Sequence, residues 1–331
     1  PSPASDARTL ELGGKYLNGD ECLPERITLG NFLKVVEDPA FDPDSTAFLL
    51  PTAGGPCRFG QYQALFKKLL KEKGFDNAMI VSPTSSNGYE GFGFSTRTLM
   101  RTSWLAVLCS DILRKIHLKN RPYELEKGSA NEIFQKSLDE LSQILSIPDL
   151  KHKIRLKWLR NALMVIRDRY RNLPAVYERS KPLIGIVGEI YCRLNEFSNE
   201  YLVNKIEEFG GEVWMTDVAE WVWYTTDEQI QRLIRTGKRF SKEMLAAKIK
   251  VAILKHDEEY LYKPFRDDFL GYEEPYDVRQ VLNYSHPYPP QEGALGEMVL
   301  NVGKAIFLYY KGADGVIDIS PFTCMNGVVC E

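Results

Sequence analysis

The chain is 331 residues long, which suits about two domains, and 44% apolar against 26% charged residues is the balance of an ordinary globular protein. With 42 Lys plus Arg against 45 Asp plus Glu, the net charge of −3 excludes a generally basic nucleic-acid coat. Six cysteines are too dilute for a disulfide-stapled scaffold, and no run of ~18 apolar residues marks a membrane span.

The N-terminus has no basic cap ahead of an apolar run, so a signal peptide is not expected and the cytoplasm is the expected compartment. Residues 1–20 read as a polar lead-in. Ile27, Leu29, Phe32, Leu33 and Val36 fall on one helix face. A short apolar run, Ala47 to Leu50, reads as a buried strand, followed by a glycine-rich turn through Gly55 and Cys57. A helix over 61–73 and a strand over 78–81 complete an α/β unit. The segment from Ser82 to Thr98, with Gly88, Gly91 and Gly93 between aromatics, reads as a long loop, either plain surface or a cover over a site. Helices follow over 102–118 and about 130–170, broken at Pro122 and near Pro148. Lys151 to Arg171 is basic on one side and apolar on the other. It suits a solvated helix face, or the docking of an acidic partner or a phosphate-rich ligand.

After Pro182, Leu183 to Glu189 is nearly all apolar, as in a strand covered on both faces. A helix over 199–209, a strand at 213–215, two helices within 226–262, a strand at 281–284, a helix over 292–310 and a strand at 315–319 continue the series. The expected architecture is α/β, with two Rossmann-like or flavodoxin-like parallel-sheet units joined by a helical connection. The expected division is an N-terminal unit, 1–175, and a C-terminal unit, 176–331.

In such sheets the chemistry gathers beyond the carboxyl ends of the strands. Cys57 and Cys324 occupy such positions, and Cys22 lies just before a helix. Thiolates at helix starts suit a nucleophile or a soft-metal ligand, while incidental structural thiols are the alternative. Cys109 sits in an apolar helix and reads as core; Cys192 is open. Glu189 ends a buried strand and faces the expected crevice, and His286 is a candidate acid–base group. Arg58 and Arg193, each beside a cysteine, can hold an anionic group. Phosphate-loop, dinucleotide, zincin and GxSxG motifs are absent.

Taken together, Leu50-Pro51-Thr52 through Gly55-Pro56-Cys57-Arg58-Phe59-Gly60, then Ile186-Val187-Gly188-Glu189-Ile190-Tyr191, then Pro321-Phe322-Thr323-Cys324, with Glu21-Cys22-Leu23-Pro24, resemble the 2-hydroxyacyl-CoA dehydratase D-component superfamily. More narrowly they resemble its branch of uncharacterised proteins associated with CoA-substrate-specific enzyme activases. The resemblance implies a [4Fe–4S] cluster in the cleft between the units, held by Cys22, Cys57 and Cys324, with Gly55 and Arg58 beside it. In one branch a double-cubane cluster would draw in Cys192 or Cys330. It further implies an oxygen-sensitive radical lyase: an ATP-dependent activase of the acetate kinase–Hsc70–actin type injects an electron, and a 2-hydroxyacyl-CoA loses water through a ketyl radical. The alternatives are an ATP-dependent reductase of small substrates, or a cluster-carrying electron-transfer partner. An acyl-CoA or other small substrate, a homo- or heterodimer, and neither nucleic acid nor membrane complete the expectation.

Overall fold

The structure is a computed structural model and describes residues 3–52, 57–83, 96–177, 181–275, 277–291 and 296–330. The chain begins with α1 (Ala7–Gly14) and α2 (Leu23–Val36), then β1 (Ala47–Leu49), α3 (Tyr62–Glu72) and β2 (Met79–Val81). Three long helices follow: α4 (Thr96–Asn120), α5 (Ser129–Ser146) and α6 (His152–Arg171). The C-terminal part runs β3 (Leu183–Gly188), α7 (Ile190–Leu194), α8 (Leu202–Glu208), β4 (Glu212–Met215), α9 (Ala219–Arg235), α10 (Lys242–Tyr262), α11 (Val278–Ser285), α12 (Met298–Tyr310), β5 (Gly315–Ile319) and α13 (Met325–Cys330).

Two parallel sheets are described, and both are small. β1 pairs with β2, Phe48 opposite Ile80. The second sheet has the order β4–β3–β5, with Ile186 opposite Met215 on one side and Ile317 on the other. The expectation of two Rossmann-like or flavodoxin-like units is therefore corrected: among the described residues there is no sheet of that size. The physical reason is that the long helices bury their apolar faces on one another. Leu105, Leu108, Ile112 and Ile116 of α4 share a core with Leu159, Leu163 and Ile166 of α6, together with Leu254, Leu261 and Phe265. That core draws on chain both before and after residue 175.

Two other expectations fail locally. The lead-in contains α1, capped by Asp6, whose carboxylate accepts the Thr9 N–H while the Thr9 hydroxyl accepts the Asp6 N–H. The run at 281–284 is helical, because Val278, Val281, Leu282 and Ser285 are buried at spacings of three and four.

The basic side of α6 is largely used inside the protein. Arg155 is buried and donates to the Thr102 hydroxyl at 3.1 Å and the Leu150 carbonyl at 3.2 Å. Arg160 lies over the Tyr260 ring, Arg169 pairs with Glu140, and Arg171 with Asp268. Lys151, Lys153 and Lys157 are exposed. The glycine-rich stretch from Gly88 to Gly93 lies outside the described residues. No helix among the described residues is long and apolar enough to cross a membrane.

Around the three-stranded sheet, Ile186, Val213 and Met215 pack with Leu118 of α4 and Ile206 of α8. Val187 and Trp214 face Phe307 and Leu308 of α12. Covering both faces leaves the carboxyl end of β3 as the place where the chain can open a site. There the strand turns sharply. Gly188 has φ +116°, and a Cβ would meet the Ile319 carbonyl oxygen at 2.1 Å. Only glycine fits that backbone approach.

Candidate functional site

Several helix beginnings converge beyond Gly188. Glu189 is the N-cap of α7, its carboxylate accepting the Tyr191 and Cys192 N–H groups at 2.9 and 2.8 Å. Cys22 is the N-cap of α2. Cys57 precedes a short 3₁₀ turn, Arg58–Gln61. Glu297 precedes α12 and accepts the Ile190 N–H at 3.1 Å. Cys324 lies between β5 and α13. Arg58 ties the two ends of the chain together by donating to the Asp20 carbonyl and, at 3.0 Å, to the Thr323 hydroxyl. Thr323 itself has φ +69°, a conformation few threonines adopt, one residue before Cys324.

The cysteines meet only in part. Cys22, Cys57 and Cys324 lie within electrostatic reach of one another around Cys57. Cys22 has its sulfur 2.8 Å from the Tyr62 hydroxyl. Burial pushes the Cys22 thiol up, more than the Tyr62 hydroxyl brings it down, and Glu25 and Glu189 add to the rise. Burial also raises Cys57, although one side of that residue meets solvent, and the Cys22, Glu297 and Cys324 charges raise it further. Burial and Glu189 drive Cys192 well above the usual thiol range.

Among the described residues, no group of three or more His, Cys, Asp or Glu side chains is placed to hold a metal ion. This overturns the [4Fe–4S] and double-cubane expectations, the ligand roles of Cys22, Cys57 and Cys324, and the recruitment of Cys192 or Cys330. The iron–sulfur dehydratase, the reductase and the electron-transfer partner fall with them. A sulfur ligand must give up its proton. At Cys22 and Cys57, burial and neighbouring acidic groups favour the protonated thiol, and Cys22 is engaged with a hydroxyl. The thiols share a neighbourhood without closing into a ligand set. Gly55 lies outside the described residues.

His286 is exposed at the C-terminal end of α11. Cys109 is fully buried in the α4 core, as its apolar surroundings suggest. Alkylation should sort the thiols accordingly. In the folded protein, iodoacetamide is expected to label Cys57 and Cys324 first, faster as pH rises, because the thiolate is the nucleophile. Cys22, Cys109 and Cys192 should stay unlabelled until denaturant is added. Mass mapping that finds Cys192 modified in the native state would contradict the placement.

Two carboxyls that the sequence reading passed over are also perturbed here. Burial raises Glu297 to about 7; Glu189 and Asp318 add to this, while Arg193 and the Ile190 N–H oppose it. Burial and Glu21 raise Glu25 to about 7 as well, against Arg58. A small cavity is lined by Glu297 together with Arg193, Thr216, Glu220, Asn301 and Lys304, among others. It leads into a buried chain of charges: Lys304 pairs with Glu220 at 2.9 Å and with Glu274, and Lys115 pairs with Glu274 at 2.5 Å and Asp217 at 3.0 Å. Tyr262 donates to Asp217 and the Trp214 indole to Glu274. One signal of this network was readable: Asn301 and Lys304 stand alone in the apolar stretch of α12. Glu297 gave none, because a glutamate before a helix is an ordinary cap.

No protein-family model, no curated protein and no solved structure matches the chain.

Proposed function

We propose that the chain binds a small carbonyl- or carboxyl-bearing compound in the cleft at the carboxyl ends of β3 and β4, and exchanges a proton with it through Glu297. The observation that supports this reading is Glu297 itself. It is a carboxyl raised to about 7 on the wall of a small polar cavity, under the influence of Glu189 at the start of α7, Arg193 of α7 and Asp318 of β5. A group that is half-protonated near neutrality both gives and takes a proton at little cost, which is what general acid–base chemistry requires. The thiols of Cys22 and Cys57 stay protonated beside it and can donate hydrogen bonds. Glu189 serves as a positioning residue: it fixes the first turn of α7 and so the place of Arg193.

The resemblance to the dehydratase superfamily adds an acyl-CoA thioester to the compounds worth testing, and an activase as a partner to test by pull-down. Infrared difference spectra across a pH series address the central point. A protonated-carboxyl stretch that is lost as pH rises through about 7, and that is missing from Glu297→Gln, is the expected result. A Glu297 that titrates in the ordinary carboxylate range would refute the reading.

A further inference from the structure

The hairpin of α9 and α10 is strongly basic although the chain as a whole is not. Arg232 to Lys255 holds eight Lys or Arg against one acidic residue, Glu243, in a chain of net charge −3. Its bend is firmly built. The Lys238 N–H donates to the Leu233 carbonyl at 2.8 Å and the Gly237 N–H to the Ile234 carbonyl at 3.1 Å, with Gly237 at φ +73°, which closes α9. Ser241 caps α10 by accepting the Met244 N–H at 3.1 Å. Leu233, Met244 and Ala247 form a small core on the inner side. The outer side keeps apolar residues in water: Phe240 in the bend is 98% exposed, Leu245 61% and Ile249 53%. Leu245, Ile249 and Ala252 recur at spacings of four and three and share one stripe of α10, with Lys242 and Lys248 on its flanks. Arg235 pairs with Glu228, whereas Lys238, Arg239, Lys242 and Lys248 are exposed and form no salt bridge among the described residues.

We propose that this hairpin docks on the surface of an anionic phospholipid bilayer, with Phe240, Leu245 and Ile249 entering the headgroup boundary and Lys238, Arg239 and Lys242 meeting the lipid phosphates. The proposal is independent of the proton-exchange reading and departs from the expectation of no membrane partner. Opposite charge draws the hairpin to the surface, and removal of its apolar side chains from water holds it there. A nucleic acid would match the cations and could stack on Phe240, but it offers Leu245 and Ile249 little apolar surface. Aliphatic and aromatic side chains set among lysines are the mixture that suits a helix lying in a lipid interface.

Flotation of the full chain with vesicles tests this, comparing phosphatidylcholine alone with phosphatidylcholine containing about one-third phosphatidylglycerol. Binding to the anionic vesicles alone is expected at about 0.1 M salt, weaker at about 0.5 M. Phe240→Ser, and separately the double variant Lys238→Glu with Arg239→Glu, should each weaken it roughly tenfold or more. These side chains are exposed, so both variants should unfold at the parent's urea concentration. Ile249→Ser, away from the bend, takes the place of either one that unfolds early. Absence of binding to the anionic vesicles, equal binding to both vesicle types, or binding that either folded variant leaves unchanged would overturn the proposal. A chain that ignores the vesicles but binds a single-stranded oligothymidylate would carry a nucleic-acid surface instead.

Discussion

Replacing Lys304 with methionine is expected to lower the unfolding free energy by about 3–5 kcal/mol, the largest effect of any single substitution considered for this chain. Lys304 is fully buried and lies between two carboxylates, Glu220 and Glu274. Burial alone would push its pKa down; the two carboxylates more than reverse this and hold it above the ordinary lysine range. Glu274 shows the reciprocal effect. Burial would raise it, but Lys115 and Lys304 hold it well below the usual carboxylate range. Methionine fills a similar volume, so the loss comes from charge rather than from a cavity. Glu274 keeps Lys115, whereas Glu220 keeps only the more distant Arg193. The cost should therefore shrink as pH falls and Glu220 takes up a proton, and Glu220→Gln in the same chain should recover part of it. Urea unfolding at neutral and mildly acidic pH measures both effects. A loss below about 1 kcal/mol would mean that the network holds no more than surface pairs do.

How much of this was legible in the sequence depends on the length scale of the signal. The short strands β1, β2, β3 and β5 were readable because compact apolar runs flanked by Gly or Pro leave few alternatives. The long helices α4 and α6 were readable from their apolar spacing. The fold class was not. Strand runs separated by helices suggest a doubly wound sheet, but whether helices cover a sheet or one another is settled by contacts far apart in sequence, as between α4, α6 and α10. The run at 281–284 shows the same limit locally, since four apolar-rich residues fit either period until Val278 and Ser285 are seen to share their face.

At the site, Glu189, Cys22, Cys57 and Cys324 were placed by their position next to turns and element ends, and they do gather near the carboxyl end of β3. Their chemistry was misread because ligation depends on sulfur-to-sulfur geometry and desolvation, which spacing does not encode. The basic run of α6 was open between two uses. Pairing of Arg169 with Glu140 and Arg171 with Asp268 shows that much of it serves the fold. Arg193 was legible as an anion-holding candidate, whereas Glu297 was not, since nothing in Gly296-Glu297-Met298 distinguishes a perturbed carboxyl from a plain helix start.

The raised carboxyl makes a second large prediction, with a sign opposite to that of an ordinary salt-bridged acid. In the folded chain Glu297 holds its proton up to about 7, whereas its ordinary value is 4.5. Between those limits the native state binds more protons than the unfolded state, so stability falls as pH rises through that window and levels off above it. Glu25 is raised to about 7 by burial and Glu21, and Glu258 to about 7 by burial, so both push in the same direction. Glu297→Gln removes one share of this slope, because glutamine keeps an oxygen for the Ile190 N–H and carries no charge to desolvate. Below about pH 5 the variant and the parent should unfold at similar urea concentrations. At about pH 8 the variant should be the more stable by about 2–3 kcal/mol, the equivalent of the shift after allowance for partial exposure. A stabilising substitution at the mouth of a ligand cleft is what a functional compromise predicts, since a site that must hold a perturbed acid gives up stability to keep it. Equal stability of the two proteins at about pH 8, or a gain that persists unchanged to about pH 5, would place the proton elsewhere and move the acid–base centre away from Glu297.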